Sequence, residues 1–286
     1  MKCDLCPRKC LVDRKKGEKG ICGQTENLKV ARAALHFWEE PCISGDAGSG
    51  AVFFSGCPLH CVFCQNENIA NGTVGKEISL ERLVDIFLEL QEKRANNINL
   101  VTPGHFVPQI VKALDQARKE GLTLPVVYNT SSYETVDTIK MLEGYVDIYL
   151  PDFKYMSPVL SKKYSHAPDY AEVAKAAIAE MVRQTGKAVF VNGDEDNLIL
   201  SGTIVRHLTL PGCMADSMQI LKYLHDTYGD MIYISIMNQF TPLSNLEKYP
   251  ELNRRITDEE YETLVDYAID IGIENGFIQE GDTAEE

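Results

Sequence analysis

At 286 residues the chain is long enough for one large α/β domain, and a composition of 44% hydrophobic and 24% charged residues excludes disordered and fibrous classes. Its 28 basic and 42 acidic residues leave a net charge of −14. That is the wrong sign for gripping a phosphate backbone or an anionic membrane surface, so neither nucleic acid nor membrane is expected as a partner. No stretch is apolar enough to span a bilayer, and the polar opening Met1-Lys2-Cys3-Asp4-Leu5-Cys6 has no signal-peptide core. A cytoplasmic protein is expected.

Residues 1–47 read as a cysteine-rich segment short on regular pattern, with seven basic and three acidic residues among the first 20. Nine cysteines are an excess for a reducing compartment, and such an excess points to metal binding or redox chemistry rather than disulfides. They form two groups, Cys3, Cys6, Cys10 and Cys22, then Cys57, Cys61 and Cys64; Cys42 and Cys213 stand apart and read as plain buried cysteines. The glycines and small residues of 45–50 read as a flexible joint, so that a main domain over 48–286 follows the segment.

From there a strand–loop–helix rhythm sets in. Apolar strand candidates begin near 51, 97, 124, 145, 203 and 231. Between them Leu80, Leu83, Val84 and Phe87 mark one face of a helix capped by Ser79, and Val107, Ile110, Val111, Leu114 and Ala117 repeat the pattern. Ser131 with Glu134, and Thr257 with Glu260, have capping-box spacing, the second with Ile256 and Tyr261 placed as a staple. A helix over 170–185 precedes an extra strand at 187–191, whose acidic turn 193–197 reads as a hairpin; the acidic end 281–286 reads as frayed. Strands apolar throughout and alternating with helices call for a parallel sheet, and six such units fit an open, partial barrel or a doubly wound sheet.

Sites in parallel α/β sheets lie where strands end. The first strand runs into Ser55-Gly56-Cys57-Pro58-Leu59-His60-Cys61-Val62-Phe63-Cys64. Three thiols on one such loop can wrap a small inorganic core and leave one iron of a four-iron cluster open, since cubanes are usually held by four thiolates. Zinc with His60 as fourth ligand, or three core cysteines, are the plainer readings.

The spacing Cys-x3-Cys-x-Phe-Cys resembles the signature of the radical S-adenosylmethionine (SAM) superfamily. The later strand ends agree. Asn129-Thr130 is similar to the Thr-Asn-Gly stretch of the enzymes that activate glycyl radical enzymes, Asp152-Phe153-Lys154 to their Asp-x-Lys, and Arg206-His207 with Pro211-Gly212 to their basic strand ending in Pro-Gly. Thr102-Pro103-Gly104-His105 departs from the family's Gly-Gly-Glu. With His36-Phe37-Trp38-Glu39-Glu40-Pro41 and Met237-Asn238-Gln239 included, nearly the whole chain resembles the pyruvate formate-lyase activating enzyme-like branch of PflX type.

The resemblance implies an α/β partial (β/α)6 barrel. It implies a 4Fe–4S cluster on Cys57, Cys61 and Cys64, and SAM contacts from Thr102, Pro103, Gly104, Asn129, Thr130, Asp152, Lys154, Arg206 and His207. The implied reaction is reductive cleavage of SAM to a 5′-deoxyadenosyl radical that abstracts hydrogen from a substrate. That substrate is a glycine of a partner enzyme, or alternatively a small molecule or peptide. An electron donor such as flavodoxin or ferredoxin, and anaerobic working conditions, come with it.

The four thiols of Cys3, Cys6, Cys10 and Cys22 fit a second metal, zinc or an auxiliary 4Fe–4S cluster, in a segment that folds around it. Arg206 and His207 alternate in side, so one of them faces the barrel interior. His105 reads as a rim residue of its loop, Asn238 and Gln239 as substrate-side residues, and Tyr128 and Tyr149 as core. Glu39 and Glu40 are left between substrate contact and holding the N-terminal segment. A protein of another class, an electron carrier or binding protein with closed metal sites at both cysteine groups, is the competing expectation.

Overall fold

The computed structural model describes residues 2–193, 197–243 and 246–279. In chain order they form β1 (Lys29–His36), α1 (Pro41–Ser44), β2 (Ser49–Phe54), α2 (Glu67–Ala70), β3 (Lys76–Glu77), α3 (Leu80–Glu92), β4 (Ile98–Val101), α4 (Val107–Lys119), β5 (Val126–Thr130) and α5 (Val136–Lys140). There follow β6 (Ile148–Pro151), α6 (Pro158–Ser165), α7 (Tyr170–Thr185), β7 (Val189–Phe190), β8 (Ile199–Leu208), α8 (Met214–Tyr228), β9 (Tyr233–Met237), α9 (Asp258–Asp270) and β10 (Gly276–Ile278).

One sheet takes nearly all the strands, in the order β10-β9-β8-β6-β5-β4-β2-β1-β3, with β7 paired on β8. The pairs from β2 through β4, β5, β6, β8 and β9 to β10 are all parallel and run in chain order. A doubly wound sheet would reverse direction at a switch point; this order never does. It is the order of a barrel, and because its two ends do not pair the barrel stays open. All six expected strands are present, and β10 adds a seventh of three residues.

Strand alternation sorts side chains between two faces. Val126, Tyr128 and Tyr149 pack with Leu83, Phe87, Ile110 and Leu114 of α3 and α4. Val127, Ile148, Leu150 and Ile204 face the other way, where Cys42 and Ile43 of α1 plug the bottom of the concave side. A third cluster, rich in aromatic rings, gathers Leu59, Phe63, Phe153, Tyr155, Tyr164 and Tyr170 near the mouth. Burying each such side chain contributes roughly 1.5–3 kcal/mol.

Three expectations need correction. Residues 29–36, read as short on regular pattern, are a strand, antiparallel to both β2 and β3. Its sequence, Lys-Val-Ala-Arg-Ala-Ala-Leu-His, buries only Val30 and carries no strand period; the edges of its neighbours impose the conformation. The joint at 45–50 is shorter than read, because Ser49 and Gly50 are buried and begin β2. Ser131 and Glu134 cap nothing: α5 starts at Val136 with Thr135 as its cap, and Glu134 is buried. The Ser79 cap and the Thr257–Glu260 capping box are both formed. Of the acidic turn expected at 193–197, positions 194–196 lie outside the described residues, as does the acidic end 281–286; β7 and β8 on either side of the turn do pair antiparallel.

Candidate active site

The loop leaving β2 is pulled into the mouth by its apolar residues. Leu59 is fully buried, and Phe63 sits edge-on to Tyr155, Tyr164 and Phe240. The backbone is tied as well: Ser55 N–H donates to Lys29 O at 2.9 Å, and Val62 N–H to Tyr164 O at 2.8 Å. The cysteines of this loop, Cys57, Cys61 and Cys64, all line one cavity of about 550 Å³ at the carboxyl ends of the parallel strands.

Donors converge on the three sulfurs. Leu59 N–H points at Cys57 Sγ over 3.4 Å, and the Ser165 hydroxyl at Cys61 Sγ over 3.1 Å. The Asn66 backbone N–H points at Cys64. Burial pushes Cys57 up to about 12 and Cys64 up to about 11, and their thiol neighbours push further the same way. Thiols so placed are poor thiolates by themselves, and a bound cationic metal centre is what would make them charged.

A buried charge network shares the cavity with the thiols, and it follows from period two along the strands. Two residues beyond apolar Val127, Leu150 and Ile204 come Asn129, Asp152 and Arg206 on the same concave face. Arg206 donates from Nε to Asp152 at 2.9 Å, from Nη1 to Glu39 at 2.9 Å and from Nη2 to Asn129 Oδ1 at 2.7 Å. Lys154 Nζ donates to the second Asp152 oxygen at 2.7 Å. Asn99 and Asn129 each donate to Glu39 at 3.1 Å. Burial opposes the charge on Asp152, but Arg206 and Lys154 win and hold its carboxyl below the usual value. Burial likewise opposes Lys154, and the attraction of Asp152 and then Cys61 holds its ammonium above the usual value.

The cavity thus gathers Cys57, Cys61, Cys64, Thr102, Asn129, Thr130, Asp152, Lys154 and Arg206 of the expected residues. Thr102 sits there with a left-handed φ of 54°. The other expected residues lie elsewhere. His207, one residue on from Arg206, faces α8: its Nδ1 donates to Phe153 O at 2.8 Å and its Nε2 accepts from Ser217 Oγ at 2.8 Å. Pro103 and Gly104 are off the cavity, and Gly104 backs onto the Glu134 carboxylate.

His105 is buried rather than a rim residue, its Nε2 bonded to Ser55 O at 2.8 Å. His60 is not among the residues lining the cavity, and its ring reaches Ile21 O at 2.7 Å and Asn71 at 3.3 Å. Of the substrate-side pair, Gln239 lines the cavity and Asn238 does not. Tyr128 and Tyr149 are core, and Cys42 is buried while Cys213 is half-buried. Cys3, Cys6, Cys10 and Cys22 lie outside the cavity.

Glu39 belongs to the network, which its place in an irregular stretch before α1 did not reveal. Glu40 is buried at the N-cap of α1, its carbonyl accepting from Ile43 N–H at 2.8 Å and its carboxylate within electrostatic reach of Arg206. Glu134 was hidden by its capping-box spacing. It is buried beneath the cavity, accepts from the Thr130 hydroxyl at 2.8 Å, and burial raises it to about 7.

Among the described residues no three His, Cys, Asp or Glu side chains gather closely enough to hold a single metal ion. A four-iron cluster asks for something different, because each thiolate binds a different iron. Three donor-supported thiols lining one cavity, with a cation beside them, fit that group, and the remaining volume is of the size that takes a small-molecule ligand.

The family model of the radical SAM superfamily matches residues 51–197. Uncharacterized protein MJ0674 of Methanocaldococcus jannaschii is 27% identical over 275 residues, covering 93% of this chain and 74% of that protein. Among solved structures, SuiB of Streptococcus suis bound to S-adenosylmethionine superposes with a TM-score of 0.53 at 13% identity, over 80% of this chain and 49% of that one. HydG, a maturase of the FeFe hydrogenase, superposes with a TM-score of 0.53 at 14% identity, over 79% of this chain and 50% of its own. The chain spans about half the length of these solved structures, and at such identities the likeness is one of fold.

Proposed function

This chain belongs to the radical SAM superfamily, and on that premise we propose that Cys57, Cys61 and Cys64 bind its 4Fe–4S cluster and that SAM occupies the cavity beside them. The observation that carries this reading is that three thiols and a buried, ion-paired network holding Lys154 and Arg206 share one cavity. When bound, these groups supply one-electron cleavage of the sulfonium and a 5′-deoxyadenosyl radical that abstracts hydrogen.

The protein's own residues bind, orient and exclude water. Lys154 and Arg206 are the wall's cations and suit a carboxylate, while Asn129 and Thr130 suit an amine or ribose hydroxyls. Because Asp152 holds both cations from one carboxylate, and Glu39 braces Arg206, the donors are fixed before the ligand arrives and little is spent ordering them. Lys154 also lies close enough to Cys61 and Cys64 to offset their charge. Leu59 and Phe63 dry the other side of the loop, which protects a reactive radical.

As substrate we propose the α-hydrogen of a glycine in a partner enzyme, in keeping with the resemblance of the strand ends to activating enzymes. Trp38, which lines the cavity and is 67% exposed, is a surface on which a polypeptide can sit. The work would be done anaerobically in the cytoplasm with a flavodoxin or ferredoxin as donor; among the described residues no helix is long and apolar enough to cross a membrane. Superfamily membership sets aside a mere electron carrier.

The test is isotopic. Candidate partner proteins carrying deuterium at glycine α-carbons are mixed with the reduced, reconstituted enzyme and SAM. Deuterium in the released 5′-deoxyadenosine supports the glycyl reading. Transfer only from a labelled small molecule or free peptide supports the alternative.

A further inference from the structure

Four thiols remain that the cavity does not use. Residues 2–28 have little core of their own, with Cys6, Cys22 and Leu28 as their buried apolar residues. The segment is a small turn closed by Cys3 N–H to Val12 O at 2.9 Å and Leu11 N–H to Cys3 O at 3.0 Å. Around Cys10, Lys9 and Leu11 are both held in left-handed conformations, φ 41° and 55°, which side chains with a Cβ adopt at a cost. Cys6 lies within electrostatic reach of Cys22 and Cys10, and Cys22 of Cys3 and Cys10. None of the four is in a disulfide.

The sulfurs share a backbone signature with those of the cavity. The N–H of Arg8 points at Cys6 and that of Gln24 at Cys22, each two residues on. Leu59 on Cys57 and Asn66 on Cys64 have the same spacing. Ile21 N–H adds a donor to Cys10 Sγ at 3.2 Å. Such donors favour a charged sulfur, which a metal-bound thiolate is and a plain core thiol is not.

The segment is also fastened to the loop after β2. Arg8, between Cys6 and Cys10, donates from Nε to Pro58 O at 2.9 Å, from Nη2 to Ser165 O at 2.9 Å and from Nη1 to His166 O at 2.6 Å. Ser165 is the residue whose hydroxyl donates to Cys61. Gly56, which precedes Cys57, has φ 92° and lies so close under the Cys22 carbonyl that a Cβ would clash with it.

We propose that Cys3, Cys6, Cys10 and Cys22 hold a second, thiolate-bound metal centre, and that Arg8 makes this centre a clamp on the loop carrying Cys57, Cys61 and Cys64. Binding releases the thiol protons and closes the turn on the metal; closing fixes Arg8, and Arg8 fixes the loop. The value of the clamp to the enzyme rests on the reading of that loop as the cluster loop, but the second centre stands without it.

The full chain is reconstituted anaerobically with iron and sulfide, and separately with zinc, as wild type, as Cys57→Ser/Cys61→Ser/Cys64→Ser and as Cys6→Ser/Cys22→Ser. Metal and sulfide are then counted. The triple variant is expected to keep metal, and Cys6→Ser/Cys22→Ser to carry less than wild type: iron with sulfide identifies a cluster, and zinc alone a single ion on which the turn has to close further than it stands here. A triple variant without metal overturns the second centre. If the triple variant and wild type carry equal metal, the Cys57 set binds none, and it is the proposed function that fails.

The clamp is read by amide hydrogen exchange over residues 57–64 in the triple variant, loaded and stripped. Loading is expected to slow exchange on the order of tenfold, the worth of one charge-assisted hydrogen bond. Arg8→Lys, which keeps the charge but loses the fork, is expected to shrink that difference while circular dichroism stays unchanged. Equal exchange in the loaded and stripped protein, or a full difference in Arg8→Lys, overturns the clamp.

Discussion

Glu39 and Arg206 are 167 residues apart in sequence, yet the carboxylate of one accepts Nη1 of the other at 2.9 Å on the concave face of the sheet. The pair ties the exit of β1 to the end of β8, and with it the irregular N-terminal stretch to the cavity wall. Glu39 also holds the Asn99 and Asn129 amides. Glu39→Ala is therefore expected to strand three donors and lower stability by roughly 3 kcal/mol, the range for breaking a buried charge pair. Glu39→Gln, which keeps an acceptor, is expected to lose less. Urea denaturation of the two variants checks the order.

Lys154 is expected to set the potential of a cluster on the neighbouring thiols. Reduction adds a negative charge, and a nearby ammonium favours the reduced state. Lys154→Met should shift the midpoint potential negative, on the order of 60 mV for a tenfold change in a one-electron equilibrium. A redox titration followed by electron paramagnetic resonance reads it, and an unchanged potential means that Lys154 does not feel the cluster.

His207 gives a pH signature. Burial lowers its pKa to about 4, so it stays neutral in the fold while an unfolded histidine titrates near 6.5. Between those values the unfolded chain binds more protons, and the contribution to stability is lost as pH falls from about 6.5 to about 4, by about 3 kcal/mol in all. His207→Gln is expected to flatten the pH dependence there relative to wild type. Glu134, raised to about 7 by burial, has the opposite sign: the folded state holds its proton longer, and stability is lost as pH rises from about 4.5 to about 7. Glu134→Gln should steepen the acid-side loss. Denaturant midpoints measured from pH 4 to 8 compare all three proteins.

Gly104 and Glu134 are expected to be coupled. A Cβ at position 104 would fall against the Glu134 carboxylate, which also holds the Thr130 hydroxyl. Gly104→Ala alone should cost about 1–3 kcal/mol, the range for overpacking. In a Glu134→Ala background it should cost less, because the obstructing group is gone. A double-mutant cycle measures the difference.

The sheet was largely legible because its strands are apolar on both faces and punctuated by amphipathic helices, so Val126-Val127 or Ile148-Tyr149-Leu150 read as buried strand without help. The same period led from Val127 to Asn129 and from Leu150 to Asp152, and it explains why Arg206 reached the cavity and His207 did not. What escaped was fixed by partners distant in sequence. β1 is a strand because β2 and β3 flank it, β10 is too short to show a period, and Glu39 has its role only because Arg206 arrives from the far end of the barrel. Glu134 had the spacing of a cap, but the helix began two residues later and the carboxylate turned inward.

The most direct test of the account is release of 5′-deoxyadenosine by the anaerobically reconstituted and reduced protein given SAM. Release by the wild type and none by Cys61→Ala is the expected result. Equal release by both, or none from a wild type whose cluster is loaded and reduced and whose SAM is bound, would contradict the assignment of Cys57, Cys61 and Cys64 as the radical-generating site.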